Sequence, residues 1–171
     1  EFGKTFADDN VHVLDPFTGT GTFINRLLQS GLIPADRLTY KYKNEIHANE
    51  IVLLAYYIAS INIETVYHDQ MKTVNPDLEY APFEGICLTD TFEMYEKEDL
   101  VSKVLVDNSE RRKRQKNLDI RVIMGNPPYS AGQDSGNDNN ANVAYPHLDE
   151  RIRTSYVLNS KISLKNSLYD S

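Results

Sequence analysis

The sequence has a single cysteine, Cys87, among 171 residues. That excludes a disulfide framework and a cysteine-rich zinc site. The four histidines, His12, His47, His68 and His147, stand far apart and show no metal-ligand spacing. No apolar run approaches ~18 residues, so no membrane span is expected. Positive charge is also short: 18 Lys and Arg face 25 Asp and Glu, a net charge of -7. Such a chain has no global attraction for phosphate, so any nucleic acid must be held by local basic patches or by other polypeptide. The chain opens Glu1-Phe2-Gly3-Lys4 with neither Met nor an apolar signal segment, which reads as a piece cut from a longer protein. The composition suits a cytoplasmic, reduced setting. At 40% hydrophobic and 25% charged residues the chain can build a core, and its length fits about one domain.

What is present reads as alternating elements. Val11-His-Val-Leu14 is a short buried strand, followed by a glycine turn and a helix over Thr22 to Gln29, which Gly31 and Pro34 end. Leu38 to Ile46 (LTYKYKNEI) reads as a second strand. His47 to Ile61 reads as a helix with Ile51, Leu54, Ala55, Ile58 and Ile61 on its buried face. Asn62 to Phe83, with Pro76 and Pro82, reads as weakly structured. Gly85 to Leu88 is a third strand, Glu93 to Asn117 is helical in part, and Ile120 to Met124 is a fourth strand. Ser130 to Asn142 (SAGQDSGNDNNAN) has almost nothing apolar and reads as an exposed loop, either closing over a substrate or simply disordered. Ala144 to Ser171 has room for one or two short helices. This order predicts an α/β fold with a mostly parallel sheet.

Two motifs carry chemistry. The first is Asp15-Pro-Phe-Thr-Gly-Thr-Gly21, between the first strand and its helix. Glycines there let the backbone approach a ligand, and free amides at a helix start favour an anionic group. The third glycine of the dinucleotide fingerprint is missing, and a carboxylate at Asp15 would repel a pyrophosphate and welcome an ammonium. Glu45, about 24 residues beyond Gly21, is expected near the end of the second strand, where an acid accepts ribose hydroxyls. An amino acid at one strand and a ribose at the next describe S-adenosylmethionine better than a nicotinamide dinucleotide. A glycine turn that merely packs a helix on a sheet remains the plainer alternative.

The second motif is Gly125-Asn-Pro-Pro-Tyr129, after an apolar strand. Consecutive prolines fix the backbone direction and remove two donors. The carbonyls of Asn126 and Pro127 and the Asn126 side chain can then hold a planar amino group by its hydrogens, while Tyr129 stacks on a flat ring. A base flipped from a duplex calls for both features.

Asp15-Pro-Phe-x-Gly-x-Gly21 followed by Asn126-Pro-Pro-Tyr129 resembles the S-adenosylmethionine-dependent adenine-N6 DNA methyltransferases. The resemblance implies a Rossmann-like methyltransferase fold, here truncated. It implies cofactor binding by Asp15, Pro16, Phe17, Gly19 and Gly21, with Glu45 on the ribose and Asp90 on the adenine amino group. Asn126, Pro127, Pro128 and Tyr129 become the catalytic loop, and no metal is implied. With the glycine turn first and a short stretch between Asp90 and Asn126, target recognition is expected after the catalytic domain. Text such as Asn49-Glu-Ile-Val-Leu-Leu-Ala-Tyr-Tyr57 and Asn126-Pro-Pro-Tyr-Ser-Ala-Gly-Gln133 is similar to the methyltransferase part of large single-chain, type I-like restriction-modification enzymes. Those also carry helicase and nuclease parts. Residues 1–171 are thus expected to form a partial catalytic domain. Its core is 11–129, and 130–171 is a loop with short helices leading toward further polypeptide. Alone it is expected to be inactive, with DNA held mostly by parts outside it.

Other acceptors use the same motif logic, notably guanine in RNA and a glutamine side chain in protein. A non-catalytic module that keeps the fold is a further alternative. Arg111-Arg-Lys-Arg-Gln-Lys116 is the only basic run, and reads as a solvated helix face more readily than as a phosphate-backbone contact. Cys87 reads as a buried strand residue, and Tyr56 and Tyr57 as the core and rim of a helix.

Overall fold

The first strand, β1 (His12–Asp15), is followed by helix α1 (Thr22–Gln29), as its glycine turn and apolar spacing predict. In this computed structural model, residues 3–92, 106–127 and 146–160 are described. The chain divides into two compact units, one of Glu1–Thr91 with Asp99–Asn126, the other of Phe92–Glu98 with Pro127–Ser171.

The second element corrects the sequence reading. Residues expected to be a strand from Leu38 form helix α2 (Ala35–Asn44). The alternation of LTYKY suggests a strand, but Leu38, Lys41 and Tyr42 share one helical face and are all buried. Pro34 precedes the first turn, and Asp36 sits within it, where an acid suits the helix dipole. Strand β2 is instead Ile46–Glu50, the sequence IHANE, buried at every position. Helix α3 (Leu53–Lys72) runs through the segment expected to be weakly structured, ending short of Pro76. Its buried face is also reversed. Ala59, Ile63 and Tyr67 are in the core, whereas Leu54, Ile58 and Ile61, and Ile51 just before the helix, are exposed and Ala55 is half-buried. Apolar on both sides, this helix has no periodicity that would fix its phase.

Strand β3 (Ile86–Leu88), helix α4 (Val106–Lys116) and strand β4 (Ile120–Ile123) complete the first unit. The four strands form one sheet, all parallel, in the order β3-β2-β1-β4. This is an α/β fold with the strand order of a Rossmann-like sheet, whose chain reverses direction of winding between β1 and β4. One face packs Val13, Ile46, Ala48 and Ile86 against Ile24, Leu27, Leu28, Tyr42, Ile63 and Tyr67. Tyr42 and Tyr67 stack 3.7 Å apart at its centre.

Apart from Leu14, the other side chains of β1 and β2 are polar. His12 Nδ1 and His47 Nε2 share a hydrogen bond of 3.0 Å. At the β3 edge the side-chain amide of Asn108, on α4, accepts from the Leu88 N–H at 2.8 Å and donates to its carbonyl at 2.9 Å. A helix side chain thus satisfies a strand edge that would otherwise be open.

In the second unit, helix α5 (Pro146–Ile152) passes directly into a π-helical turn, Arg153–Val157. Arg153 grips Glu150 through two nitrogens, at 2.8 and 3.0 Å.

Candidate functional site at the carboxyl ends of the strands

The turn after β1 is built by its own polar atoms. Gly19 and Gly21 take φ of 55° and 90°, a left-handed conformation that glycine adopts freely. The Phe17 N–H donates to Asp15 Oδ1 at 3.1 Å, and the Thr18 hydroxyl donates to the Asp15 carbonyl at 3.0 Å. A side chain at Gly21 would meet Ile63 at 3.1 Å, so this glycine also lets the turn sit close on α3. No side chain caps α1 and no acid lies in its first turn, so no side chain of the helix itself offsets its positive end.

Asp15 is fully buried, and its Oδ2 has no hydrogen-bond partner among the described residues. Burial pushes its carboxyl up from the usual 3.8 to about 6, with the Phe17 N–H opposing and the Glu50 carboxylate reinforcing. An unsatisfied buried carboxylate oxygen is costly unless something cationic or hydrogen-donating meets it.

The second acid at this end of the sheet is Glu50, the last residue of β2. Its Oε2 accepts from the Gly19 N–H and its Oε1 from the Val52 N–H, both at 2.7 Å. Glu45 lies elsewhere. It caps the end of α2 and precedes β2, so it sits at the amino end of the strands, away from the glycine turn. Lys41 Nζ contacts Glu45 Oε2 and donates to the carbonyls of Asp8 at 2.7 Å and Val11 at 3.0 Å, while the Asn10 N–H donates to Glu45 Oε1 at 2.7 Å. Burial works against the charge on Glu45, but Lys41 and the Asn10 N–H outweigh it and hold the carboxyl below its ordinary range. The expectation of Glu45 beside a ligand at the strand ends is therefore corrected: the acid in that place is Glu50. Sequence reading missed it because β2 was read as the start of a helix.

Asp90 follows β3 and is half-buried, next to Thr89, whose N–H donates to the Glu50 carbonyl at 2.9 Å. Asn126 follows β4 in the same unit and is exposed. The Met124 N–H donates to the Leu14 carbonyl at 3.0 Å, and a Cβ on Gly125 would lie 2.9 Å from Asp15 Oδ1 and 3.1 Å from Pro16 Cδ. The start of the second motif, Gly125, therefore lies beside the first at one end of adjacent strands. Pro127, also exposed, belongs to the second unit, and Pro128, Tyr129 and the Ser130 to Asn142 loop lie outside the described residues.

The basic run is divided. Arg111 donates to the Tyr56 hydroxyl at 3.0 Å, Arg112 is buried, and only Lys113, Arg114 and Lys116 are exposed. Cys87 is buried, as expected. Among the described residues no cluster of three or more metal-binding side chains occurs, and no helix is long and apolar enough to cross a membrane.

In open parallel α/β sheets, ligands bind in the crevice outside the carboxyl ends of the strands, where this chain places its glycine turn and the acids Asp15, Glu50 and Asp90. None of the family models and no curated protein matches the chain. Solved structures do. A nuclease-deletion mutant of the Type ISP restriction-modification enzyme LlaGI, in complex with a DNA substrate mimic, is 50% identical over 100% of this chain, with a TM-score of 0.84. The ATP-dependent Type ISP restriction-modification enzyme LlaBIII, bound to DNA, is 49% identical over 100% of the chain at a TM-score of 0.82. A DrdV–DNA complex is 44% identical over 99% of the chain at 0.81. The chain spans 14%, 12% and 16% of those proteins, respectively. It is thus similar, in sequence and fold, to one segment of large restriction-modification enzymes.

Proposed function

We propose that this chain is the cofactor-binding and catalytic part of a DNA methyltransferase acting on the exocyclic amine of adenine, within a restriction-modification enzyme. The observation that supports this reading is the close approach of Gly125 to the Asp15-Pro16 turn, which would bring a donor bound at the first motif near an acceptor held at the second. DNA would be held largely by further polypeptide, including a target-recognition part, and helicase and nuclease parts would belong to the same enzyme.

The site residues fit S-adenosylmethionine. The unsatisfied, buried Asp15 Oδ2 suits an ammonium, the uncapped amino end of α1 suits a carboxylate, and Glu50 suits a ribose diol. Asp90 is the acceptor for an adenine amino group. When bound, this cofactor supplies an electrophilic methyl group. The protein's part is then alignment. Asn126 and the Pro127 carbonyl accept the two hydrogens of the target amine, which draws its lone pair out of conjugation with the ring. By the motif's chemistry, Tyr129 would stack on the base and Pro128 would limit the backbone. The amine proton leaves to solvent after attack, so no side chain with a shifted pKa is needed to remove it.

Calorimetric titration of the chain with S-adenosylmethionine and with NAD tests the cofactor, with binding of the former alone expected. Methyl transfer by the full-length enzyme to DNA, RNA and protein acceptors tests the substrate. Labelling of DNA adenine is expected, with Asn126→Ala abolishing transfer while cofactor binding persists. Exclusive labelling of RNA or protein would refute the DNA reading.

A further inference from the structure

Three strand ends are tied together by one hydroxyl. Thr91, just beyond β3, donates from Oγ1 to the Pro16 carbonyl at 2.7 Å and accepts from Asn49 Nδ2 at 3.2 Å. Asn49 is fully buried on β2, and its own carbonyl accepts from the Thr18 N–H at 3.0 Å. The glycine turn is thereby held on both sides of Phe17, by Thr91 before it and by the Asn49 backbone after it. The polarity of the chain is fixed, because an amide N–H can only donate and a carbonyl can only accept. A hydroxyl is the one small group that serves both at once. Asp90, next to Thr91, stands on the adenine side of the proposed site, and Asp15, next to Pro16, on its amino-acid side.

We infer that Thr91, backed by Asn49, is a positioning residue that sets the Asp15 to Gly21 turn relative to the loop after β3, so that the two ends of the cofactor bind as one unit. The inference rests on the proposed function for its ligand, and on the hydrogen-bond chain alone for its effect on the turn. Thr91→Val keeps the shape of the side chain but removes the donor and the acceptor, leaving the Pro16 carbonyl and Asn49 Nδ2 without this partner. Thr91→Ser restores both.

Hydrogen exchange of the turn amides in the ligand-free chain is the first readout. Thr91→Val should speed exchange at Phe17, Thr18 and Gly19 by roughly tenfold or more, and Thr91→Ser should return it to the parent rate. Thermal unfolding run alongside identifies any general loss of fold, and exchange in the core of α3 should stay unchanged. Calorimetry with S-adenosylmethionine and with adenosine is the second. Affinity for the whole cofactor should fall about tenfold in Thr91→Val while that for adenosine is kept, with recovery in Thr91→Ser. Parent-like exchange in the turn of Thr91→Val overturns the inference, as does an equal loss of both ligands. If the parent chain binds neither ligand, it is the cofactor assignment that fails, and the exchange experiment still decides the role of Thr91.

Discussion

The Asp15 carboxylate lies against the backbone of Gly125, so closely that a Cβ there would stand 2.9 Å from Asp15 Oδ1. Residues remote in sequence thus share one corner, where the chain changes winding direction between β1 and β4. Gly125→Ala forces the carboxylate or Pro16 to move. The variant is expected to lose about 1–3 kcal/mol of stability, the usual range for overpacking, and to bind S-adenosylmethionine more weakly. Urea unfolding and calorimetry check both. Parent-like values for each would mean the corner has slack.

Glu45 and Glu50 differ in role because they lie at opposite ends of β2. Glu50→Gln removes the charge facing the Gly19 and Val52 amides, and is expected to lower cofactor affinity by roughly ten- to a hundredfold, the value of a hydrogen bond to a charged group. Glu45→Gln should leave affinity untouched in the folded fraction and cost stability instead. Lys41→Met is the harsher change, since it strands Glu45 buried without its cation, at about 3–5 kcal/mol. A Glu45→Gln chain of full stability and reduced affinity would reverse the assignment.

The same pair shows why part of the site escaped the sequence. The glycine turn, α1, β3 and β4 follow local rules: apolar runs ended by glycine or proline. Strand β2 does not, because its polar residues are satisfied from afar. His47 is bonded to His12, Asn49 to Thr91 and Glu50 to Gly19. Helix α2 hides for a similar reason, as it buries Lys41 against carbonyls of Asp8 and Val11. A lysine with those partners belongs in a core, but nothing in its neighbours along the chain announces them. With β2 read as helix, the acid before it was taken for the acid at its end.

Cys87 should be chemically silent. Burial pushes its thiol up to about 11, while Arg111, Arg112 and Arg114 pull the other way without overcoming it. A soluble disulfide reagent at pH 8 is expected to leave the folded chain unmodified and to label it at once in denaturant. Rapid labelling of the folded chain would place Cys87 at an accessible surface.

Two buried groups give stability opposing slopes with pH. Burial, then His12 and Arg114, push His47 down to about 3 against the weaker pull of Glu45, so it stays neutral when folded and protonates when unfolded below 6.5. Its contribution is present above pH 6.5 and is lost as pH falls toward 3. Asp15 runs the other way. With its folded value raised to about 6, its contribution is whole below pH 3.8 and is lost as pH rises through 6. The two shifts correspond to about 5 and about 3 kcal/mol at full extent. Between pH 6 and 4 each group differs by close to one proton between the folded and unfolded chain, with opposite sign, so the two slopes nearly cancel and the parent should change little there, the surplus loss from His47 falling mainly below pH 4. Asp15→Asn removes the opposing contribution: the variant should be more stable than the parent at pH 7 and should fall more steeply with acid. His47→Gln leaves the Asp15 contribution alone and should gain stability as pH falls from 7 to 4. Urea unfolding at half-unit intervals of pH measures all three curves. A parent and an Asp15→Asn variant with parallel curves would show that Asp15 is ionised in the folded chain at no cost.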